Sequence, residues 1–422
     1  MTSVGSDMIG DAAENAGEKR SPYRWAILGI AWLTYLSVYM VRQAVPPLST
    51  FIVDELHLSN TEIGLLVSAA ALGYSLFQVP AGWLIDKVGI RKMLFAGTFA
   101  AGALIVAMYF VETLPGAFVI LFLGGLGCGC FPAVATKAIL QWFPVKERGT
   151  AIGLHQTSIT VAGIITAILL PLLAVGLGWR FGFVAVGFFA MAAAVIASIF
   201  YRDPQGVART ETPRVSDPTN WKRIREVLLD RNILLVSVSC IGFMAVDYSL
   251  TTYLIIFMRD AVGLTVTAAG VYLAITNVGG VFGKLFFGAL SDRVLGGSRR
   301  KPLLVAGSIM LGMTVIMQVI TPGTSYWVLA VVFAVFGFSA IGWGGLNLIL
   351  VSEFSRKEVM GLAMGYSLMI LMIGNIIGPP VFGYLTDLTG SYSPAWWFLT
   401  ACALASLFFM ALVKEKDRRI DA

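Results

Sequence analysis

Twelve apolar runs, each about as long as a lipid hydrocarbon core is thick, leave this chain few possible folds. A helix needs roughly 20 apolar residues to cross that core. The runs are Trp25–Val45, Thr61–Leu84, Met93–Val111, Phe118–Trp142, Gly149–Leu173 and Phe181–Tyr201. They continue with Ile233–Met258, Ala268–Leu290, Pro302–Ile320, Tyr326–Val351, Gly361–Leu385 and Ala395–Val413. The long hydrophilic stretch Arg202–Arg231 divides them into six and six. The expected fold is an all-α membrane protein, twelve transmembrane helices in two pseudo-symmetric six-helix bundles. Its expected divisions are a disordered cytoplasmic N-terminus (1–22) without a cleavable signal peptide, an N-terminal bundle (23–201) and a cytoplasmic linker (202–231). A C-terminal bundle (232–413) and a cytoplasmic tail (414–422) complete it.

Composition agrees. Only 13% of the 422 residues are charged, against roughly 25% in soluble domains. The 45 glycines suit close packing of helices in lipid. The net charge of +6 first suggests nucleic acid, but the positions of the charges explain it otherwise. With the N-terminus inside, 25 of the 30 Lys and Arg fall in the inside loops, and Arg180 and Arg259 fall outside. The positive-inside rule then puts both termini in the cytoplasm, across an inner (plasma) membrane. Cys128, Cys130, Cys240 and Cys402 all lie in apolar runs and read as small packing residues.

The halves look duplicated. A shift of 206 residues aligns Asp54 with Asp260, Gly64 with Gly270, Gly73 with Gly279, Gly82 with Gly288 and Asp86 with Asp292. A shift of 212 aligns Gly149, Ala151 and Gly153 with Gly361, Ala363 and Gly365. Paired halves with a site between them are a transporter architecture.

Four ionisable residues stand well inside the runs: Arg42, Lys137, Asp247 and Lys284. A charge at the bilayer centre costs about 2.5–3.5 kcal/mol on insertion scales, so each is a candidate for function. Arg42 shares a helix face with Tyr35 and Tyr39. If its helix runs on through Pro46 and Pro47, it lies about one turn from the midplane. Lys284 shares a face with Asn277, Gly280 and Gly288. The alternatives are snorkelling for the cations and a fixed ion pair for the acid.

The loop after the second helix reads GWLIDKVGIRK, with Gly82, Asp86 and Arg91; its counterpart after the eighth reads GALSDRVLGG, with Gly288, Asp292 and Arg293. This motif, in six plus six helices, resembles the major facilitator superfamily. The resemblance implies that those six residues gate the change of access. Tyr39-Met40-Val41-Arg42, Gly127–Gly153 and Ser291–Arg300 look like the anion:cation symporters and the related organophosphate:phosphate antiporters. Two departures matter. Val41 stands where the symporters carry Asp, and Tyr248 stands where the antiporters carry a second Arg. The second departure leans the reading from phosphate esters to carboxylates. Lys284-x-x-x-Gly288 is similar to the Arg-x-x-x-Gly of monocarboxylate transporters.

In the resembling fold helices 1 and 7 face one another across the cavity. That implies a substrate site of Arg42, Lys284, Tyr39, Tyr35, Asn277 and Tyr248. Asp247 would carry the coupling proton or pair with Arg42 at rest. Cavity charge would be +1 with the acid ionised and +2 with it protonated, a logic for symport. No phosphate loop, metal cluster or catalytic triad is legible, so the chain is read as a transporter, not an enzyme, with no cofactor. The expected function is proton-coupled transport of a small organic anion, most simply a carboxylate, by a monomer in the lipid bilayer. Sodium coupling stays open. So do an organic-anion or phosphate-ester antiporter or exporter, and a non-transporting anion sensor.

Overall fold

The computed structural model describes residues 22–202, 221–356 and 359–415. The N-terminal segment, most of the linker and the end of the tail lie outside them. The side chains of Gly82 and Asp86 also lie outside the described set.

The described chain is helical almost throughout. Its first half holds α1 (Tyr23–Arg42), α2 (Val45–Leu56), α3 (Asn60–Val88), α4 (Ile90–Val106), α5 (Leu114–Cys128), α6 (Phe131–Trp142), α7 (Val145–Leu177) and α8 (Trp179–Phe200). The short α9 (Trp221–Leu228) ends the linker. The second half holds α10 (Arg231–Asp260), α11 (Val266–Ala289), α12 (Arg300–Ile316), α13 (Tyr326–Ala340), α14 (Gly344–Phe354), α15 (Met360–Thr389) and α16 (Ser393–Ala411). Among the described residues eleven stretches are long and apolar enough to cross a bilayer. The 29-residue α3 supplies the twelfth crossing. Apolar side chains crowd the outside: Trp327 is 84% exposed and Phe110 79%. Lipid is the solvent for such a surface, and the aromatic rings sit near helix ends, where interfacial aromatics gather.

Two features repeat between the halves. The crossing α5–α6 breaks at Gly129–Cys130, and α13–α14 breaks at 341–343, 212 residues later. A Cβ on Gly73 of α3 would lie 2.0 Å from the Phe122 carbonyl oxygen of α5; one on Gly279 of α11 would lie 2.1 Å from that of Ala334 on α13. Both glycines therefore let two backbones touch, and the contact recurs in the same register. The duplication inferred from spaced glycines thus has a packing cause.

The halves meet along α3 with α15, α7 with α11 and α2 with α10. These contacts concentrate at the end away from the termini. There the turn after α2 uses a left-handed His57 (φ 51°) and Ser59 caps α3 in a reciprocal box with Glu62. That fixes the α3 N-terminus beside Asp387 of α15. The Asp387 carboxylate accepts from the backbone N–H of Asn60 (3.0 Å) and Thr61 (2.7 Å) and from both side chains (2.9 and 2.5 Å). Arg259 of α10 holds Asp54 of α2 at 2.8 Å. The Tyr253 hydroxyl donates to the Asn60 carbonyl at 2.6 Å. Toward the termini the same faces open. On α7, Thr160 and Gly163 are buried against α11, whereas Gly149, Gly153 and Gln156 along that face are exposed.

Candidate functional site

The first crossing runs from Tyr23 to Leu56, longer than the apolar run ending at Val45 suggests. It is continuous in direction but broken after Arg42. Gln43 N–H still reaches the Tyr39 carbonyl at 2.9 Å. The helix then restarts at Val45 with proline in its first turn, where a missing N–H is harmless. Arg42 therefore sits at a helix break within the crossing, not at its edge.

Its guanidinium is caged by phenol rings from both halves. Its carbon Cζ lies 4.0 Å from the Tyr74 ring centroid, 5.5 Å from that of Tyr39 and 5.6 Å from that of Tyr248. Nη1 donates to the Tyr39 hydroxyl at 3.3 Å. Nη2 is buried with no hydrogen-bond partner among the described residues. Ring faces contribute about 0.5–2 kcal/mol each to a desolvated cation, but they supply few lone pairs. The guanidinium, with five donors, is left short of acceptors.

Beside it a cavity of about 100 Å³ lies between the halves, lined by Tyr39, Arg42, Gln43, Asp247, Tyr248, Asn277, Thr160 and Gly163 among others. Asp247 is within electrostatic reach of Lys284 and, less strongly, of Arg42. Among the described residues it makes no ion pair within 4.0 Å, so Arg42 and Asp247 are not joined as a resting pair. Asn277 donates to the Leu273 carbonyl at 2.9 Å. Gly163 makes room for two side-chain ends: a Cβ there would lie 2.3 Å from Asn277 Oδ1 and 2.8 Å from Gln43 Oε1, and both would have to turn aside.

Two residues expected at the site stand back from the wall. Tyr35 packs behind Tyr39 (ring centroids 4.9 Å, tilted) and against His155 (4.4 Å), 3% exposed. Lys284 lies two turns along α11 from Asn277, toward the termini. It reaches the cavity edge by donating to Thr160 Oγ1 of the opposite half at 3.3 Å. Sequence reasoning passed over Thr160, Gln43, Tyr74 and Gly163. Neutral polar groups, a tyrosine and a glycine are ordinary in membrane helices, and the signal was only that Gln43 adjoins Arg42.

The gating candidates lie at the terminal end. Arg91 Nε donates to the Ser198 carbonyl at 2.7 Å, tying α4 to α8. Asp292 pairs with Arg299 at 2.5 Å, and Arg299 also reaches Glu353 at 3.4 Å. Burial works against the Arg299 charge, but these two acids outweigh it and hold its pKa above the ordinary value. Asp292 is thus tied by an ion pair within its own half. Arg293 is exposed. Among the described residues a Cβ at Gly288 would meet nothing within 4 Å.

Twelve crossings in repeated halves around a charged cavity define a membrane carrier of small solutes. The chain belongs to the Major Facilitator Superfamily, whose sequence profile matches residues 31–379 and 299–421. Members of this family are transporters, not enzymes. The "Probable sulfoacetate transporter SauU" of Cupriavidus necator is 27% identical, over 94% of this chain and 96% of that protein. The "Hexuronate transporter" of Bacillus subtilis is 25% identical over 89% and 90%. The "Probable galactarate/D-glucarate transporter GarP" of Escherichia coli K12 is 26% identical over 94% and 96%. Among solved structures, a D-xylose-proton symporter superposes with TM-score 0.75 at 15% identity, covering 93% of this chain and 98% of that one. A bacterial homologue of the lysosomal transporter Spinster gives 0.74 at 20%, covering 94% and 97%. These establish the shared fold.

Proposed function

We propose that this protein is a secondary transporter that carries a small organic anion, most simply a carboxylate, through the cavity at Arg42. The observation that carries the reading is the Arg42 guanidinium: buried, ringed by three phenols, with Nη2 unpartnered. A carboxylate offers the planar pair of acceptors such a fork lacks. Support also comes from relatives whose names specify organic acids: sulfoacetate, hexuronate, galactarate and glucarate.

Asp247 is the proposed proton carrier. It is the acid that lines this cavity, and protonating it raises the local charge by one, strengthening attraction for an anion. The proposed cycle is proton first, anion second, rocking of the halves, then release toward the termini. The termini are proposed to be cytoplasmic on the positive-inside argument. Gly82, Asp86, Arg91, Gly288, Asp292 and Arg293 are proposed to control closure of that end. Lys284 is proposed as a second cation at the cavity edge, Asn277 and Tyr248 as walls and Tyr35 as backing for Tyr39.

The test is purified protein in liposomes, challenged with sulfoacetate, D-glucarate, D-galacturonate, glycerol 3-phosphate and hexose phosphate. Saturable uptake of a carboxylate, stimulated by an imposed proton gradient, is expected. Uptake of the phosphate esters alone would replace the carboxylate reading with the antiporter one.

A further inference from the structure

We propose that Thr160 is a positioning residue for Lys284: its hydroxyl holds the ammonium at the cavity edge, away from Asp247, so both charges stay available. This rests on the reading of the cavity as an organic-anion site.

The hydroxyl and the ammonium come from opposite halves, α7 and α11, and meet at 3.3 Å. Thr160 is 3% exposed and lines the cavity, so its Oγ1 is an acceptor fixed where water has little access. Lysine has a flexible four-carbon stem and three donors. One donor on Thr160 leaves two for an arriving anion.

The alternative partner is near. α10 and α11 are in contact, and Lys284 is the foremost charged influence on Asp247. Yet the two make no ion pair within 4.0 Å among the described residues. Opposite charges in a poorly solvated cavity attract strongly, so an ammonium free to swing would settle on the carboxylate. That pair would hold the acid ionised and mask the cation at once. The neutral Thr160 acceptor prevents both without adding charge. The groups facing Asp247 are Lys284 from α11, Arg42 from α1 and the Tyr248 phenol of its own helix; the rings of Tyr39, Tyr74 and Tyr248 also face Arg42. The acids on the other packed helices are engaged elsewhere: Asp54 and Glu55 of α2 with Arg259 and Arg180, Glu62 of α3 with Ser59 and Asp387 of α15 with Asn60 and Thr61 at the far end, and Glu147 of α7 with Arg24 and Glu353 of α14 with Arg299; His155 of α7 lies against Tyr35.

Because the joint spans two halves, it also depends on access state. Rocking must part α7 from α11 on one side of the cavity, and the Lys284–Thr160 bond lies on that seam.

The experiment measures equilibrium binding of radiolabelled sulfoacetate and D-glucarate to the full chain in detergent, and the pH profile of uptake in liposomes. Thr160→Val keeps shape and removes the acceptor; Thr160→Ser restores it. Thr160→Val is expected to weaken binding about tenfold, the scale of one charge-assisted hydrogen bond, and to move the uptake profile to lower pH. Thr160→Ser should bind within about twofold of the parent. Adding Asp247→Asn to Thr160→Val should restore binding, since the competing carboxylate is gone. Thr160→Val with unchanged affinity and pH profile would overturn the proposal, as would loss of binding that Asp247→Asn does not recover. If the parent protein binds neither probe, the anion-site reading itself falls, a separate outcome.

Discussion

The latch at the end away from the termini and the cavity at the centre treat polar groups in opposite ways: the latch carboxylates are exposed and saturated, the cavity groups enclosed and under-satisfied. At the latch, one carboxylate, Asp387, accepts four hydrogen bonds from Asn60 and Thr61, and Asp54 takes two from Arg259. In the cavity, among the described residues, Arg42 keeps a buried donor without a partner, Lys284 has one hydroxyl and Asp247 has no ion pair. Saturated groups hold two surfaces together. Unsaturated ones lower stability and leave bonds for a ligand to make, so the same chemistry joins two surfaces in one place and, on the proposed reading, serves recognition in the other.

The contrast can be broken by mutation. Arg42→Gln should cost the most function, about 100-fold in anion affinity, as expected for losing more than one charge-assisted bond. Thermal stability of the ligand-free protein should stay level or rise, because an under-satisfied cation is gone. A large loss of stability would mean that Arg42 is structural. Gly163→Ala should come next: the new methyl has to turn the side-chain ends of Asn277 and Gln43 aside, which reshapes the cavity wall, read as lower uptake with a melting temperature close to the parent's.

The latch should respond the other way. Asp387→Ala strands two N–H groups at a helix N-terminus, a cost of about 1 kcal/mol in a partly wetted place. It should speed labelling of a cysteine placed at Ser68, whose hydroxyl now donates to the Ile376 carbonyl across the halves at 2.6 Å, while anion affinity changes little. Tyr248→Phe should be the mildest, within about threefold in affinity, since the ring face toward Arg42 survives.

Much of this was legible in the chain. Apolar run length set the crossings because lipid leaves the backbone no other partner, and spaced glycines set the register because close backbones exclude any Cβ. Arg42, Asp247 and Lys284 stood out because charge in lipid is costly. What was not legible was three-dimensional adjacency of neutral groups. Thr160 meets Lys284 only because α7 and α11 come from different halves. Tyr35 lies behind Tyr39 rather than beside the cavity, a matter of depth that a shared helix face does not reveal. Proline was an unreliable guide to breaks. α1–α2 breaks just before Pro46, while α15 runs straight through Pro379 and Pro380.

The central claim is that an organic anion and a proton share one cavity, with Asp247 carrying the proton. The most direct test loads liposomes with the parent protein and with Asp247→Asn, then measures labelled carboxylate under an imposed inward proton gradient and, separately, in counterflow. Accumulation above the outside concentration by the parent, and counterflow without accumulation by Asp247→Asn, is the expected result. Equal proton-driven accumulation by both would contradict it.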